Sequence, residues 1–403
     1  MNAVVFNQIS SGTITSPQGF LAGAVRAGIK DSNALDLTVL YSQVPCAACG
    51  VFTANKIKSA PVLLSQKNIR DKVAQAVVVN SGCANACTGA RGLTDAAEML
   101  DLVADKLCVA SEDVLVASTG IIGIKLPMDK IRRGISRIKL SRGGGKNFAT
   151  AIMTTDTFAK QIALSVEDKT GKFTIAGAAK GAGMIHPNMA TMLSFVTTDA
   201  SVQDDFLSLA VKKAADESFN MITVDGDTSP SDTLIVLANG LAGNRTITKR
   251  NGGIFQDALN QVCLFLAKSV ARDGEGATKL IEVSVEGSLN TDEARVAART
   301  IAGSPLVKSA IHGNDPNWGR IVAALGRSGA RIDIDKINVY LNNICVMKNG
   351  LPVNFDKEKL SRNLTGHDEV QIRVALNLGK SNAIAWGCDL SEEYVTINSA
   401  YTT

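Results

Sequence analysis

Two rhythms of apolar and polar positions run through the chain. Short apolar runs such as VAQAVVVN (73–80) and DVLVAST (113–119) read as buried strands. Between them, LTDAAEMLDLVADKL (93–107) reads as a helix. Their alternation predicts an α/β fold. LSFVTTDA (193–200) is a further buried strand, entered through a turn marked by proline and asparagine. Glycine and turn residues are densest in SRGGGK (141–146), AGAAKGAG (176–183) and RNGG (250–253). From about residue 281 the texture changes, and IEVSVEG, INVYLNN and VQIRVAL read as strands around helical segments. A smaller C-terminal α/β subdomain is expected there. No fixed-period repeat of a solenoid is present.

Composition narrows the class. A length of 403 residues predicts two or three domains, and 45% hydrophobic with 20% charged residues is ordinary for a soluble globular protein. The net charge of +4 does not demand a polyanionic partner, and 4% aromatics leave little for base stacking, so no nucleic acid is expected. No run approaches the ~18 apolar residues of a membrane span. MNAVVFNQISSGTITSPQGF lacks the basic and apolar regions of a secretory signal, which predicts a cytoplasmic protein. The eight cysteines then read as reduced thiols.

Several groupings invite a chemical reading. Cys46-Ala-Ala-Cys49 with Cys83 and Cys87 offers four thiolates to zinc, but the pairs lack knuckle spacing and a redox βαβ context, so small buried side chains are expected. DGDTSPSD (225–232) gathers three carboxylates, yet the twelfth loop position is Val236, the wrong chemistry for a calcium loop, and turn formation is the expected use. Seven cations lie between Lys130 and Lys146 with no aromatic among them, which describes a solvated helix face. SRGGGKN fails as a phosphate loop, because Asn147 follows the lysine and no glycine stands five positions before Gly145. None of the histidines, 186, 312 and 367, has the context of a hydrolase elbow or a zinc helix, and His312 is read as packed in its loop. No metal site is predicted.

MIHPNMATML (184–193) offers a different possibility. A threonine hydroxyl is a weak nucleophile unless a base is at hand, and a free α-amine on the same residue can be that base. Thr191 acquires one only if the chain is cut before it. Its Oγ can attack the Ala190 carbonyl, shift the amide to an ester, and let water release the new terminus. Small Ala190 leaves room for the tetrahedral intermediate, and a sharp turn such as Ser118-Thr119-Gly120 can supply oxyanion donors. The competing reading is a threonine that fills a sheet position.

These residues resemble the ornithine acetyltransferase family of arginine biosynthesis, the ArgJ-type proteins. Ten blocks occur in family order: GTITSPQGFLAGAVRAGIK (12–30), CGVFTANKIKSAPV (49–62), NSGCANACTG (80–89), ASTGIIG (117–123), IMTTDT (152–157), KGAGMIHPNMATML (180–193), VDGDTSPSDT (224–233), GEGATK (274–279), HGNDPNWGR (312–320) and INSAYTT (397–403). Departures are local, namely Cys83 within NSGCANA, and Ser399 and Ala400 near the end.

The resemblance implies a self-cleaving precursor, cut between Ala190 and Thr191 into an α chain, 1–190, and a β chain, 191–403. It implies a four-layer α/β/β/α sandwich, DmpA/ArgJ-like and similar to N-terminal-nucleophile hydrolases. Residues 191–280 would complete the sandwich and 281–403 form the C-terminal subdomain. The implied reaction is ping-pong transfer of acetyl from N2-acetylornithine to glutamate through acetyl-Thr191, with Thr119 and Gly120 as the oxyanion hole. Thr154, Lys180, Thr191, Glu275, Asn398 and Thr403 match the family's substrate contacts, although MTTDT offers both Thr154 and Thr155. Lys180 suits a substrate carboxylate and Glu275 the ornithine amine. No metal or diffusible cofactor is required, acetyl-CoA as a second donor is left open, and an α2β2 assembly is suggested. The rival activity is a related self-cleaving aminopeptidase or amidase.

Overall fold

The computed structural model describes residues 5–168, 171–186 and 192–400. Its strands run, in chain order, β1 Val5–Gln8, β2 Phe20–Val25, β3 Leu37–Phe52, β4 Val73–Cys83, β5 Val114–Ile121, β6 Lys160–Asp168, β7 Gly171–Lys180, β8 Leu193–Thr198 and β9 Thr233–Ala238. These nine join in the order β1-β6-β7-β8-β9-β3-β4-β5, with β2 on the flank of β3. The runs read from the sequence at 73–80, 113–119 and 193–200 are β4, β5 and β8, and 93–107 lies within the helix Gly89–Leu107.

One long strand folds this sheet over. The first part of β3 pairs with β2 and with β4 through Leu37–Tyr41, while its last part, Ala47–Phe52, pairs with β9. Its register with β4 shifts between Tyr41 and Cys46. Pro45 stands inside that shift; it has no N–H for the ladder, and a bulge increases local twist and bend.

Three apolar clusters define the layers. The central one joins Val77, Val79, Leu115 and Ala117 of one half-sheet to Ala178, Leu193, Phe195 and Ile235 of the other. On the outer face of β3–β5 the helices Gly89–Leu107 and Met128–Arg137 contribute Met99, Val103, Ile131 and Ile135. Behind the other half lie the helices Asp204–Glu217 and Gly253–Arg272, whose Val211, Leu259 and Leu266 join Ile175 and Val196. The stack is helix, sheet, sheet, helix, the expected α/β/β/α sandwich.

The C-terminal texture change corresponds to a second sheet. It contains β10 Leu280–Ser288, β11 Asn338–Leu341, β12 Ile344–Lys348, β13 Leu351–Pro352, β14 Glu369–Ala375 and β15 Ser381–Cys388, in the order β13-β12-β11-β14-β10-β15. The hydrophobic cluster behind β6–β9 continues into it through Leu280, Val283, Val370 and Trp386.

Candidate active site

Thr119 and Gly120 lie at the end of β5. Leu115 and Ala117 face the core between the half-sheets, while Val114 and Val116 face the outer helices, so the two-residue period carries Thr119 onto the inner face. β5 runs parallel to β4 with Gly82 opposite Gly120. At Gly120 φ is +127°, and a β-carbon would lie 2.4 Å from the Gly82 carbonyl carbon, so only glycine fits. The backbone there is forced close to its neighbour and stays bare of any side chain.

Lys180 ends β7 on the face that Ala178 shares with the central core. Its ammonium lies 3.9 Å from Oδ2 of Asp156. Asp156 is fully buried and accepts from the N–H of Thr154 at 2.9 Å, the N–H of Gly181 at 2.6 Å and the ammonium of Lys160 at 2.6 Å. Lys160 also reaches Asp273 at 2.5 Å, and Asp273 accepts from the N–H and hydroxyl of Thr157. Burial alone would raise the Asp156 pKa; Lys180, Lys160 and the Gly181 N–H outweigh it and hold the carboxyl at about 2. For Lys180 itself burial dominates and lowers the pKa, against the pull of Asp156. This network ties the 154–157 turn to the end of β7.

Glu275 lies between the helix Gly253–Arg272 and β10, with its N–H donating to the Ala182 carbonyl at 2.9 Å. A β-carbon on Gly183 would sit 2.5 Å from the Glu275 carboxylate, so glycine lets the carboxylate lie against the backbone. Asn398, on the helix Glu392–Ala400, donates Nδ2 to Glu275 Oε2 at 2.8 Å. The same helix presents Tyr394, whose phenol is pushed up by burial and by the carboxylates of Asp225 and Glu275. His312 bridges Asp389 at 2.8 Å and Glu392 at 3.3 Å, which anchors the helix start.

Thr119, Gly120, Thr154, Lys180, Glu275 and Asn398 all line one cleft of about 140 Å³. Thr155 lines it as well, so both adjacent threonines of the MTTDT turn border the site. Ala190, Thr191 and Thr403 lie outside the described residues. Chain continuity still brackets the proposed nucleophile, since Met192 leads directly into β8 and Leu193 pairs with Lys180.

Other groupings resolve individually. Asp225 accepts from the N–H groups of Met184 at 2.6 Å and Ile185 at 2.9 Å, the turn-forming use expected of that cluster. Cys46 packs in the central core and Cys83 in the outer one, and among the described residues no group of three or more His, Cys, Asp or Glu side chains is arranged to hold a metal ion. Sequence reasoning missed Asp156, Lys160, Asp273 and Tyr394. The four-residue step from Asp156 to Lys160 resembles a helical ion pair, but it spans a turn and a strand start. Nothing in the local sequence marks Tyr394.

The sequence pattern of the ArgJ family matches residues 21–403. The chain belongs to the ArgJ family. Two relatives, each called arginine biosynthesis bifunctional protein ArgJ, align over 98% of this chain. The one from Dehalococcoides mccartyi is 56% identical over 98% of its own length, and the one from Symbiobacterium thermophilum is 51% identical over 99%. A crystal structure of arginine biosynthesis bifunctional protein ArgJ from Bacillus halodurans superposes with a TM-score of 0.51 at 46% identity, covering 51% of this chain and 98% of that one. The ArgJ-family block KGAG therefore has a physical reading here: Lys180 faces the cleft, the Gly181 N–H binds Asp156, and Gly183 admits Glu275.

Proposed function

We propose that this ArgJ-family acyltransferase of arginine biosynthesis cuts itself between Ala190 and Thr191 and then moves acetyl groups from N2-acetylornithine to glutamate. The observation that carries the reading is the pairing of opposite charges in one buried cleft. Lys180 and Glu275 line it together, beside Thr119 and Gly120. A substrate with an α-carboxylate and a side-chain ammonium matches that pair, with the carboxylate on Lys180 and the amine on Glu275 and Asn398.

Thr191 Oγ bonds to the acetyl carbon while its proton passes to its own α-amine. The Thr119 hydroxyl and Gly120 N–H receive the developing oxyanion. The C–N bond to ornithine then breaks, and the proton leaves with the ornithine amine. Glutamate's amine attacks the acetyl-threonine, the same steps run in reverse, and N-acetylglutamate departs. Thr154 and Thr403 complete the substrate contacts. The chemistry needs no metal or diffusible cofactor. Relatives bear the name bifunctional, and we extend it to this chain by assigning acetyl-CoA as a second donor to glutamate.

The two products of the cut stay together. β8 and β9, from the β chain, lie hydrogen-bonded between β7 and β3 of the α chain. The assembly is an α2β2 tetramer in the cytoplasm. No helix among the described residues is long and apolar enough to cross a membrane.

Intact mass under denaturing conditions tests the cut. Two fragments summing to the precursor plus one water, with threonine at the new terminus, are expected, and Thr191→Ala stays whole. A single uncut wild-type chain sinks the reading. In turnover, acetyl loss from acetylornithine must depend on glutamate; free acetate without an acceptor would make the protein an amidase. Acetylation of glutamate by acetyl-CoA alone checks the second donor.

A further inference from the structure

The groups that line the cleft are of two kinds. Lys180, Asp225, Asp227, Glu275 and Asn398 are charged or polar. Ala84, Ile121 and Ile122 are apolar, and they come from the place where β4 and β5 end. Ile121 and Ile122 directly follow Gly120, and two backbone bonds fix them there. The Ala84 N–H donates to the Ile121 carbonyl at 3.0 Å, and the Gly123 N–H donates to the Ala86 carbonyl at 3.0 Å. Met184, a further apolar residue of the lining, follows Gly183, the glycine that admits Glu275.

The three residues at the strand ends serve no core. Ala84 is 3% exposed and both isoleucines are half-buried, yet none of the three joins an apolar cluster of the described residues. Their apolar surface borders the cleft instead, and sites for small molecules are commonly lined in this way, with a few polar groups fixing orientation. The shape of a carbonyl group says what belongs there. With its oxygen on the Gly120 N–H, the carbonyl carbon lies about 1.2 Å from that oxygen and carries two further substituents. One is the nitrogen of the amino acid, whose carboxylate and ammonium call for Lys180 and Glu275. The other is the alkyl group. For it, the apolar lining begins one residue beyond Gly120, about 3.8 Å along the chain.

We propose that Ala84, Ile121 and Ile122 form the acyl pocket and determine which acyl group is transferred, admitting acetyl and excluding longer chains. This deepens the proposed acetyl transfer and rests on the reading of Thr119 and Gly120 as the oxyanion hole. Isoleucine is branched at Cβ and stiff at χ1, so two in succession on a clamped backbone make a wall that yields little. Each methylene added to the acyl chain overpacks that wall, and the penalty grows with chain length. The bonds made and broken are those of acetyl transfer. The acyl C–N bond to ornithine opens and the acyl C–N bond to glutamate closes, whatever the alkyl group.

The test measures ornithine release from N2-acetylornithine and N2-butyrylornithine by the full-length protein, with glutamate as acceptor. Wild type should favour acetyl by about 100-fold or more in kcat/KM. Ile121→Ala should raise the butyryl-to-acetyl ratio about 10-fold or more, and Ile122→Ala should move it in the same direction. Glu275→Gln, which alters a charged group of the lining, should raise KM for both donors alike and leave their ratio within about threefold of wild type. A ratio within about threefold of wild type in both isoleucine variants overturns the pocket, as does a wild type that transfers butyryl as readily as acetyl. Acetyl transfer itself survives either result. A wild type without glutamate-dependent acetyl transfer instead overturns the reading of the whole site. Should Ile121→Ala fail to fold, Ile121→Val decides. With one methyl removed, the propionyl-to-acetyl ratio should rise about threefold, and an unmoved ratio overturns the proposal.

Discussion

Gly183 shows how a single missing side chain serves the site. The three atoms nearest to a methyl group there all belong to the Glu275 carboxylate, 2.5 Å away, so the flexible side chain rather than the backbone gives way. Gly183→Ala should melt within a few degrees of wild type while Glu275 is displaced from its place beside Asn398. A charged hydrogen bond is worth about 1.5–3 kcal/mol, so KM for acetylornithine should rise roughly 10- to 100-fold, read from initial rates. Asp156 calls for a different measurement. Its folded pKa of about 2 lies below the ordinary value near 4, so the carboxylate form is the stabilising one. That stability is fully present above about pH 4 and is lost as pH falls towards 2. Asp156→Asn should destabilise by about 3–5 kcal/mol at neutral pH, because the buried ammoniums of Lys160 and Lys180 lose the carboxylate they share and only Lys160 keeps Asp273. The gap from wild type in thermal melts should narrow steadily below pH 4. Lys180 and Glu275 were legible from family-like blocks, whereas Asp156 lies inside the block IMTTDT with nothing in the sequence to single it out. Its importance comes from Asp273, 117 positions further on, reaching the same lysine. A buried ion network assembled from distant segments leaves no local pattern.

Strands and helices with strong patterning were read correctly because burial on both faces leaves long apolar runs, as in β4 and β5. The fold-over of β3 was not. It depends on two different partners claiming the two parts of one strand, and Pro45 alone reads as an ordinary turn residue. The helix Glu392–Ala400 was equally opaque. None of its described residues is buried, and its attachments are polar: Glu392 to His312, Asn398 to Glu275, and Ser391 just before it to the Gly276 carbonyl at 2.6 Å. A helix held this way adds little to the core. Deleting residues 392–403 should therefore shift the melting temperature by only about 2–4 °C while abolishing measurable transfer. A collapse of the fold on deletion, seen as lost cooperative melting, would contradict that division of labour.

Across the molecule, the sandwich was expected from the family resemblance, and the three apolar clusters bear it out. Its continuity with the second sheet was not visible in the sequence, because a shared core depends on which faces meet. The placement of β8 and β9 between β7 and β3 has a further consequence. After the proposed cut, neither product would contain a complete central sheet. The α chain alone exposes the edges of β7 and β3, and unpaired edges of buried strands invite aggregation. On that proposal the uncut chain is the form that can find its native state by itself, and cleavage would erase that route. Mature protein unfolded in denaturant and then diluted should regain activity only in a concentration-dependent second-order process, with much loss to precipitate. Uncut Thr191→Ala should refold at a rate independent of concentration. A cell could then replace this enzyme only by making it anew, because each cut molecule would carry a folding history it cannot repeat.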